Sequence, residues 1–198
     1  MEMTQEMIKK YGEANMKALA NYKAKFLGEN KLDISKLESP KDIPVGTILT
    51  QYWLNSMTYY MVTRTTNKSV EFVEILDTQI DFDNDGGGTG TRYCMPDLVR
   101  TKKEQAAYKA FVKRTGLDIF NLKRNAEWPQ EWFHNLSKKD KDEYFSFHNF
   151  NGCSKKILKH VKPAKNGGFY IPGPHTGFMC CCTMSLWDGT PDREYYGD

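Results

Sequence analysis

The chain has 198 residues, enough for one domain that buries its own core without disulfide staples. Its formal net charge of +3 is too small to indicate nucleic-acid binding by itself, and it excludes an acidic mimic of DNA. No apolar run reaches the roughly 18 residues of a membrane span, and the N-terminus lacks the pattern of a secretion signal. We therefore expect a soluble intracellular protein that has no contact with a membrane.

The first predicted element is an amphipathic helix over residues 4–27. Apolar side chains recur at helical spacing from Ile8 to Phe26, and lysines occupy the opposite face. Gly28 follows the last apolar residue, as is typical of a helix C-terminus. Together with the connector that follows, this helix forms the predicted N-terminal segment, residues 1–38.

A β region begins at Val45 and opens the predicted single α+β domain of residues 39–198. The runs Thr58–Arg64 and Ser69–Leu76 are rich in β-branched and aromatic residues, which favour strands. They flank Thr65-Thr66-Asn67-Lys68, in which asparagine tolerates a positive φ. The pattern predicts an antiparallel hairpin.

A helical insertion is predicted over residues 101–160. Thr101 with Glu104 three residues later has the spacing of a capping box, and Gly116 marks the end of this helix. Ser137 is predicted to cap a second, shorter helix. The insertion divides a β core made of residues 45–100 and 166–198.

The predicted fold is therefore a small, strongly bent antiparallel sheet, an SH3-like barrel, split by the helical insertion and preceded by the N-terminal amphipathic helix. The tail Trp187-Asp188-Gly189 is predicted to close it. The tryptophan would enter the core, the aspartate would cap a turn, and the glycine would take a positive φ.

Four motifs in two blocks, which cover about half of the chain, form a recurring pattern. They are Val45-Gly46-Thr47-Ile48 with Trp53, Thr58-Tyr59-Tyr60-Met61-Val62, Lys68 to Ile75, and Trp187-Asp188-Gly189-Thr190-Pro191. The pattern resembles a group of small, mostly uncharacterised bacteriophage proteins. The resemblance implies a phage origin and an SH3-like β-barrel with a C-terminal WDG-x-P tail, and it implies no activity. The long N-terminal helix and the large insertion depart from the pattern.

The segment Asp81 to Gly90 is predicted to be a glycine-rich loop. Asp81, Asp83 and Asp85 alternate as in the first half of an EF-hand loop and could offer oxygen ligands to a hard cation. The twelfth loop position is Arg92, which supplies no ligand. We therefore predict no cofactor and leave a divalent cation at these carboxylates as the alternative.

Three adjacent cysteines, Cys180 to Cys182, are predicted to be buried, reduced and structural. A metal or redox role stays open, because residues distant in sequence could complete a ligand set or a cysteine–histidine pair. The other candidates for such a site are Cys94, Cys153, His160 and His175.

Aromatic and basic residues of the insertion are the predicted contact surface for a partner. The predicted partner-binding residues are Trp128, Trp132, Phe133, Lys155 and Lys156. With the resemblance, they favour a non-enzymatic phage accessory protein in the cytoplasm of the bacterial host. Its expected partner is a host protein or a protein–nucleic acid complex, and its most specific form is an inhibitor of a defence system such as a CRISPR nuclease.

Two other functions stay open at this point. The first is a nucleic-acid-binding module, since lysine clusters beside aromatic residues can follow a phosphate backbone and stack bases. The second is a metal- or cysteine-dependent hydrolase. The sequence leaves the oligomeric state undecided.

Overall fold

The computed structural model describes residues 12–28, 32–53, 56–86, 89–121, 131–148, 155–165, 168–175 and 183–196. Its helices are α1 (Glu13–Phe26), α2 (Leu98–Thr115), the single turn α3 (Glu131–His134) and α4 (Lys138–His148). Its strands are β1 (Ile48–Trp53), β2 (Ser56–Thr65), β3 (Ser69–Ile75), β4 (Asp77–Gly86), β5 (Thr89–Pro96), β6 (Lys156–His160), β7 (Lys162–Pro163), β8 (Phe169–Tyr170), β9 (Ser185–Leu186) and β10 (Asp192–Tyr196). The predicted α+β class is confirmed.

Three antiparallel sheets organise these strands. The first sheet has the order β6-β3-β2-β1-β9, the second β10-β5-β4, and the third pairs β7 with β8. The C-terminal tail thus returns to both larger sheets, with Ser185 opposite Thr50 and Asp192 opposite Cys94. Within the residues described above, no sheet closes into a barrel, so the SH3-like barrel is not confirmed.

The predicted hairpin between β2 and β3 is confirmed. The Thr66 amide donates to the Ser69 carbonyl over 2.9 Å, and the Ser69 amide donates to the Thr66 hydroxyl over 3.0 Å. A hydroxyl that satisfies nearby backbone groups in this way stabilises a tight turn.

The prediction of a loop from Asp81 to Gly90 is wrong for the described part of this segment, because residues 81–86 belong to β4 and residues 89–90 to β5. The backbone groups of β5 pair with β4 on one side and with β10 on the other, and these pairings fix an extended conformation despite the glycines. Asp81 and Asp83 are exposed, so their charges stay in water.

The predicted capping box at Thr101 is also wrong. Helix α2 begins earlier, at Leu98, and the side chain of Asp97 accepts the Arg100 amide over 2.9 Å. The Thr101 hydroxyl instead accepts the Leu76 amide over 2.9 Å and so ties α2 to the end of β3. Gly116 ends the helix with a φ of 73°, as predicted.

The last residues of the segment predicted as a helical insertion, 156–160, form strand β6. This strand pairs with β3, where Phe72 lies opposite Ile157. Helix α4 ends at His148, so the helical character stops before β6. The Ser137 hydroxyl accepts the Asp140 amide over 3.1 Å, which confirms Ser137 as the cap of α4.

Helix α1 docks on the rest of the protein. Leu19 and Tyr22 are buried, and the Tyr22 hydroxyl accepts the Ile48 amide over 2.9 Å. The Asn15 side chain donates to the Pro96 carbonyl and accepts the Leu98 amide, which links α1 to the junction of β5 and α2. The hydrophobic effect and these bonds therefore hold α1 against both sheets. Residues 4–11 of the helix predicted over 4–27 lie outside the described residues.

Three hydrophobic clusters lie in different places. The first joins α1, the two larger sheets and the tail around Trp187, and the second lies under the opposite face of the first sheet around Phe72. The third is the core of the insertion, where Phe111 and Phe147 pack with ring centres 5.4 Å apart. Among the described helices, none is both long enough and apolar enough to cross a membrane.

Candidate functional site

The aromatic residues predicted to contact a partner fall on the insertion core. The Phe133 ring is half-buried and lies 5.4 Å from the Tyr144 ring and 5.6 Å from the Phe145 ring. Trp128 lies outside the described residues, and so does the side chain of Trp132, which belongs to α3. Phe133 therefore supports the third core and offers only part of its ring to a partner.

Phe145 is an exposed aromatic residue of the insertion that sequence reasoning missed. Its side chain is 51% exposed, while Tyr144 and Phe147 on the same helix are buried. The 3.6-residue period contains the signal, because residues 144 and 147 share one face of α4 and residue 145 does not.

The lysines predicted to contact a partner lie at the edge of the first sheet. We call this the basic edge: Lys155, Lys156, Leu158, His160 and Lys162. All five are exposed, and Leu158, at 49%, is among the most exposed large apolar residues of the described chain. Lys156, Leu158 and His160 alternate along β6, so they share one face.

One carboxylate partly balances this surface. Glu71, next to β6 on β3, accepts Lys156 over 3.3 Å and Arg64 over 3.5 Å. Burial acts to raise the pKa of Glu71, but the Thr63 hydroxyl and the Lys156 ammonium outweigh it, so the pKa lies below its ordinary value. Among the described residues, no carboxylate forms an ion pair with Lys155 or Lys162, and the surface stays positive.

A buried ion pair joins the second sheet to β2; we call it the Arg92 cluster. Glu194 is 1% exposed and receives Arg92 Nε over 2.6 Å and the Met57 amide over 2.6 Å. Arg92 also contacts Asp77 over 3.2 Å. The position that breaks the EF-hand pattern is thus occupied by a structural arginine.

The described residues provide little for thiol or metal chemistry. Burial, followed by the nearby Glu194 charge, raises the pKa of the Cys94 thiol, so this thiol stays protonated. Cys153 and Cys180 to Cys182 lie outside the described residues, as does the side chain of Asp85. In the part of the chain that the structure describes, no three histidine, cysteine or carboxylate residues are grouped to hold a metal ion.

Another carboxylate of β10, Asp192, lines a cavity that we call the Asp192 cavity. Its volume is about 350 Å³, and its walls include Tyr52, Met57, Asp188 and Asp192. Asp192 Oδ2 is buried and has no hydrogen-bond partner among the described residues. The nearby Tyr59 hydroxyl donates to the Cys94 carbonyl over 3.0 Å.

Burial raises the pKa of Asp192 to about 6, the charges of Asp188 and Glu194 add to the rise, and the Tyr59 hydroxyl offsets part of it. A raised pKa means that the native state holds its proton longer than the unfolded state. The bound proton therefore stabilises the native state. This stabilisation is fully present below pH 3.8, the ordinary pKa of an aspartate, and it is lost as the pH rises through about 6.

We expect Asp192→Asn to raise the free energy of unfolding by about 1–2 kcal/mol at pH 8, after a discount for partial exposure, and to change it little at pH 4. Urea titrations of both proteins at the two pH values measure this. Glu74, whose pKa is raised to about 7 by burial and then by Asp77, titrates in the same window. Both proteins contain Glu74, so its contribution cancels in the comparison, and an equal effect of Asp192→Asn at both pH values would contradict the charge argument.

The residues predicted for a site did not include Arg92, Glu194 or Asp192. The alternation of Asp192 and Glu194 on one strand places them on the same face, but their charges predict that both side chains are exposed.

Comparison with protein-family models, with curated proteins and with solved structures finds no match to this chain.

Proposed function

We propose that this protein is a phage-encoded, non-enzymatic accessory protein that binds a host macromolecule in the cytoplasm of the bacterial host. Inhibition of a defence system such as a CRISPR nuclease is the most specific form of the proposal. The phage origin rests on the sequence resemblance. The observation that supports binding is the basic edge, where Leu158 lies exposed on the same face of β6 as Lys156.

An edge strand offers unpaired backbone groups to another chain, and lysines on such a strand discourage two copies from pairing. The same lysines attract a negatively charged partner, and desolvated apolar contact at Leu158 would add to the affinity. The basic edge therefore combines resistance to self-association with attraction for an acidic surface.

The insertion supplies a second part of the proposed contact surface. Phe145 is exposed on α4, and Trp128 and Trp132 precede it in sequence. Aromatic side chains are enriched among the residues that dominate binding energy. Retained partner binding in the Trp128→Ala/Trp132→Ala variant would remove these two tryptophans from the proposal.

We expect Lys155→Gln/Lys156→Gln to weaken partner binding at least about tenfold, because both changes remove charge from the contact. Lys102→Gln/Lys103→Gln, on exposed α2 positions, removes the same charge elsewhere and serves as the control. Biolayer interferometry on the recovered partner measures both. Equal weakening by the two variants would show that only net charge matters.

The proposal is tested by a pull-down of tagged protein from lysate of its bacterial host, with and without nuclease and at high salt. Recovery of one protein partner under all conditions would support it. Recovery that vanishes with nuclease would favour nucleic-acid binding instead, and recovery of nothing would contradict both.

Nucleic-acid binding is the second candidate, because the basic edge also suits a phosphate backbone. It requires a steep fall of affinity with salt, since each neutralised phosphate releases counterions. A salt titration with single-stranded and double-stranded oligonucleotides separates it from binding to a protein.

A further inference from the structure

We propose that the Asp192 cavity binds a small organic cation, an alkylammonium or a guanidinium group, in the open space between β1, β2 and the C-terminal tail. Its volume of about 350 Å³ lies in the range of small-molecule sites. This inference does not depend on the proposed function. The cavity adjoins β9, whereas the basic edge lies at the opposite end of the first sheet, on β6.

Among the described residues, Asp192 lacks the counter-ion that its neighbour on β10 has. Glu194, two residues further along β10, has Arg92 as its partner. For Asp192, no lysine, arginine or histidine of the described residues forms an ion pair, and Oδ2 lacks a hydrogen bond. The Tyr59 hydroxyl stabilises this carboxylate only in part. A carboxylate that is removed from water without a cation beside it is costly, so a bound cation would supply the missing charge.

The other residues that line the cavity can contact the uncharged part of such a cation. Tyr52 and Met57 lie opposite each other on β1 and β2, and Trp187 lies at the end of β9. Aromatic faces and a thioether attract cations and accept an alkyl chain. The hydroxyl side chains of Thr50 and Ser185 also line the cavity and can accept ammonium hydrogens.

Among the described residues that line the cavity, none is positively charged, so the electrostatic potential in the cavity is negative. Asp188 and Asp192 are the carboxylates among the described residues that line it. The Asp188 side chain already accepts the amide and the hydroxyl of Thr190 over 2.8 and 2.6 Å. Asp192 is therefore the carboxylate that is available to a ligand, and Asp188 adds to the negative potential.

The test compares butylammonium with 1-butanol, which has nearly the same size and no charge, by amide chemical-shift titration of the full chain at pH 8. We expect butylammonium to bind and to shift the amides of Ser185, Trp187 and Asp188, with the alcohol at least about tenfold weaker. Equal binding of both would reduce the site to an apolar cavity, and binding of neither would overturn the proposal.

Two further measurements fix the site. Asp192→Asn should abolish the preference for butylammonium, whereas Asp81→Asn, at an exposed carboxylate on β4, should leave it unchanged. Wild-type affinity should fall about tenfold between pH 8 and pH 5, as Asp192 takes up a proton in the presence of its neighbours Tyr59, Asp188 and Glu194. Affinity that does not depend on pH, or an unaffected Asp192→Asn variant, would contradict the assignment.

Discussion

Replacement of Arg92 by methionine is expected to lower the free energy of unfolding by about 3–5 kcal/mol, because it leaves a buried carboxylate without its partner. Glu194 is 1% exposed, and Arg92 is the cation that it contacts. The remaining donors, the Met57 amide at 2.6 Å and the Cys94 thiol at 3.5 Å, cannot neutralise its charge. The second sheet should therefore separate from β2 more readily.

The matched control is Arg114→Met. Arg114 also contacts two carboxylates, Asp140 and Glu143, but its side chain is 42% exposed. Water screens these ion pairs, and we expect a clearly smaller loss than in Arg92→Met. Chemical denaturation followed by circular dichroism measures both variants, and similar losses in the two would show that burial of Glu194 does not set the cost.

Trp187→Ala is expected to cost about 3–5 kcal/mol, because it opens a cavity where the tail meets α1 and the first sheet. Trp187 is 1% exposed, and its ring lies 5.5 Å from the Tyr22 ring and 6.5 Å from the Tyr59 ring. Its indole nitrogen donates to the Thr190 carbonyl over 2.8 Å, which holds the turn before β10.

Trp187→Phe provides the control, because it keeps an aromatic ring and loses the indole donor. We expect a smaller loss than in Trp187→Ala, measured by the same denaturation. If the alanine variant lost less than about 1 kcal/mol, the tail would not be part of the core.

Strong local patterns predicted their structures well. The β2–β3 hairpin follows from two β-branched runs around a turn that contains asparagine. The tail is also as predicted: Trp187 is buried, Asp188 accepts the Thr190 amide, and Gly189 has a φ of 89°. In both places the side chain itself determines the local conformation.

Elements that depend on distant partners were not predicted. The glycine-rich stretch of β4 and β5 resembles a loop in isolation, but pairing with β10, about a hundred residues later in the chain, makes it a sheet. Strand β6 alternates exposed and half-buried residues over only five positions, and it is a strand because β3 offers its edge.

The candidate site shows the same division. Lys155 and Lys156 are exposed, as a lysine run suggests. Phe133 was predicted to contact a partner, but it packs against the core of the insertion. The sequence pattern did not distinguish this core position from a surface position. The environment of Asp192 and Glu194 forms only where β10 contacts β2, so no local sequence pattern predicts it.

Binding of a macromolecule through the basic edge is tested by quantitative mass spectrometry of pull-downs from nuclease-treated host lysate. Three baits are compared: wild type, Lys155→Gln/Lys156→Gln and Lys102→Gln/Lys103→Gln. We expect a protein partner that is recovered by the wild type and by Lys102→Gln/Lys103→Gln and is lost from Lys155→Gln/Lys156→Gln. Equal recovery by all three baits would contradict it.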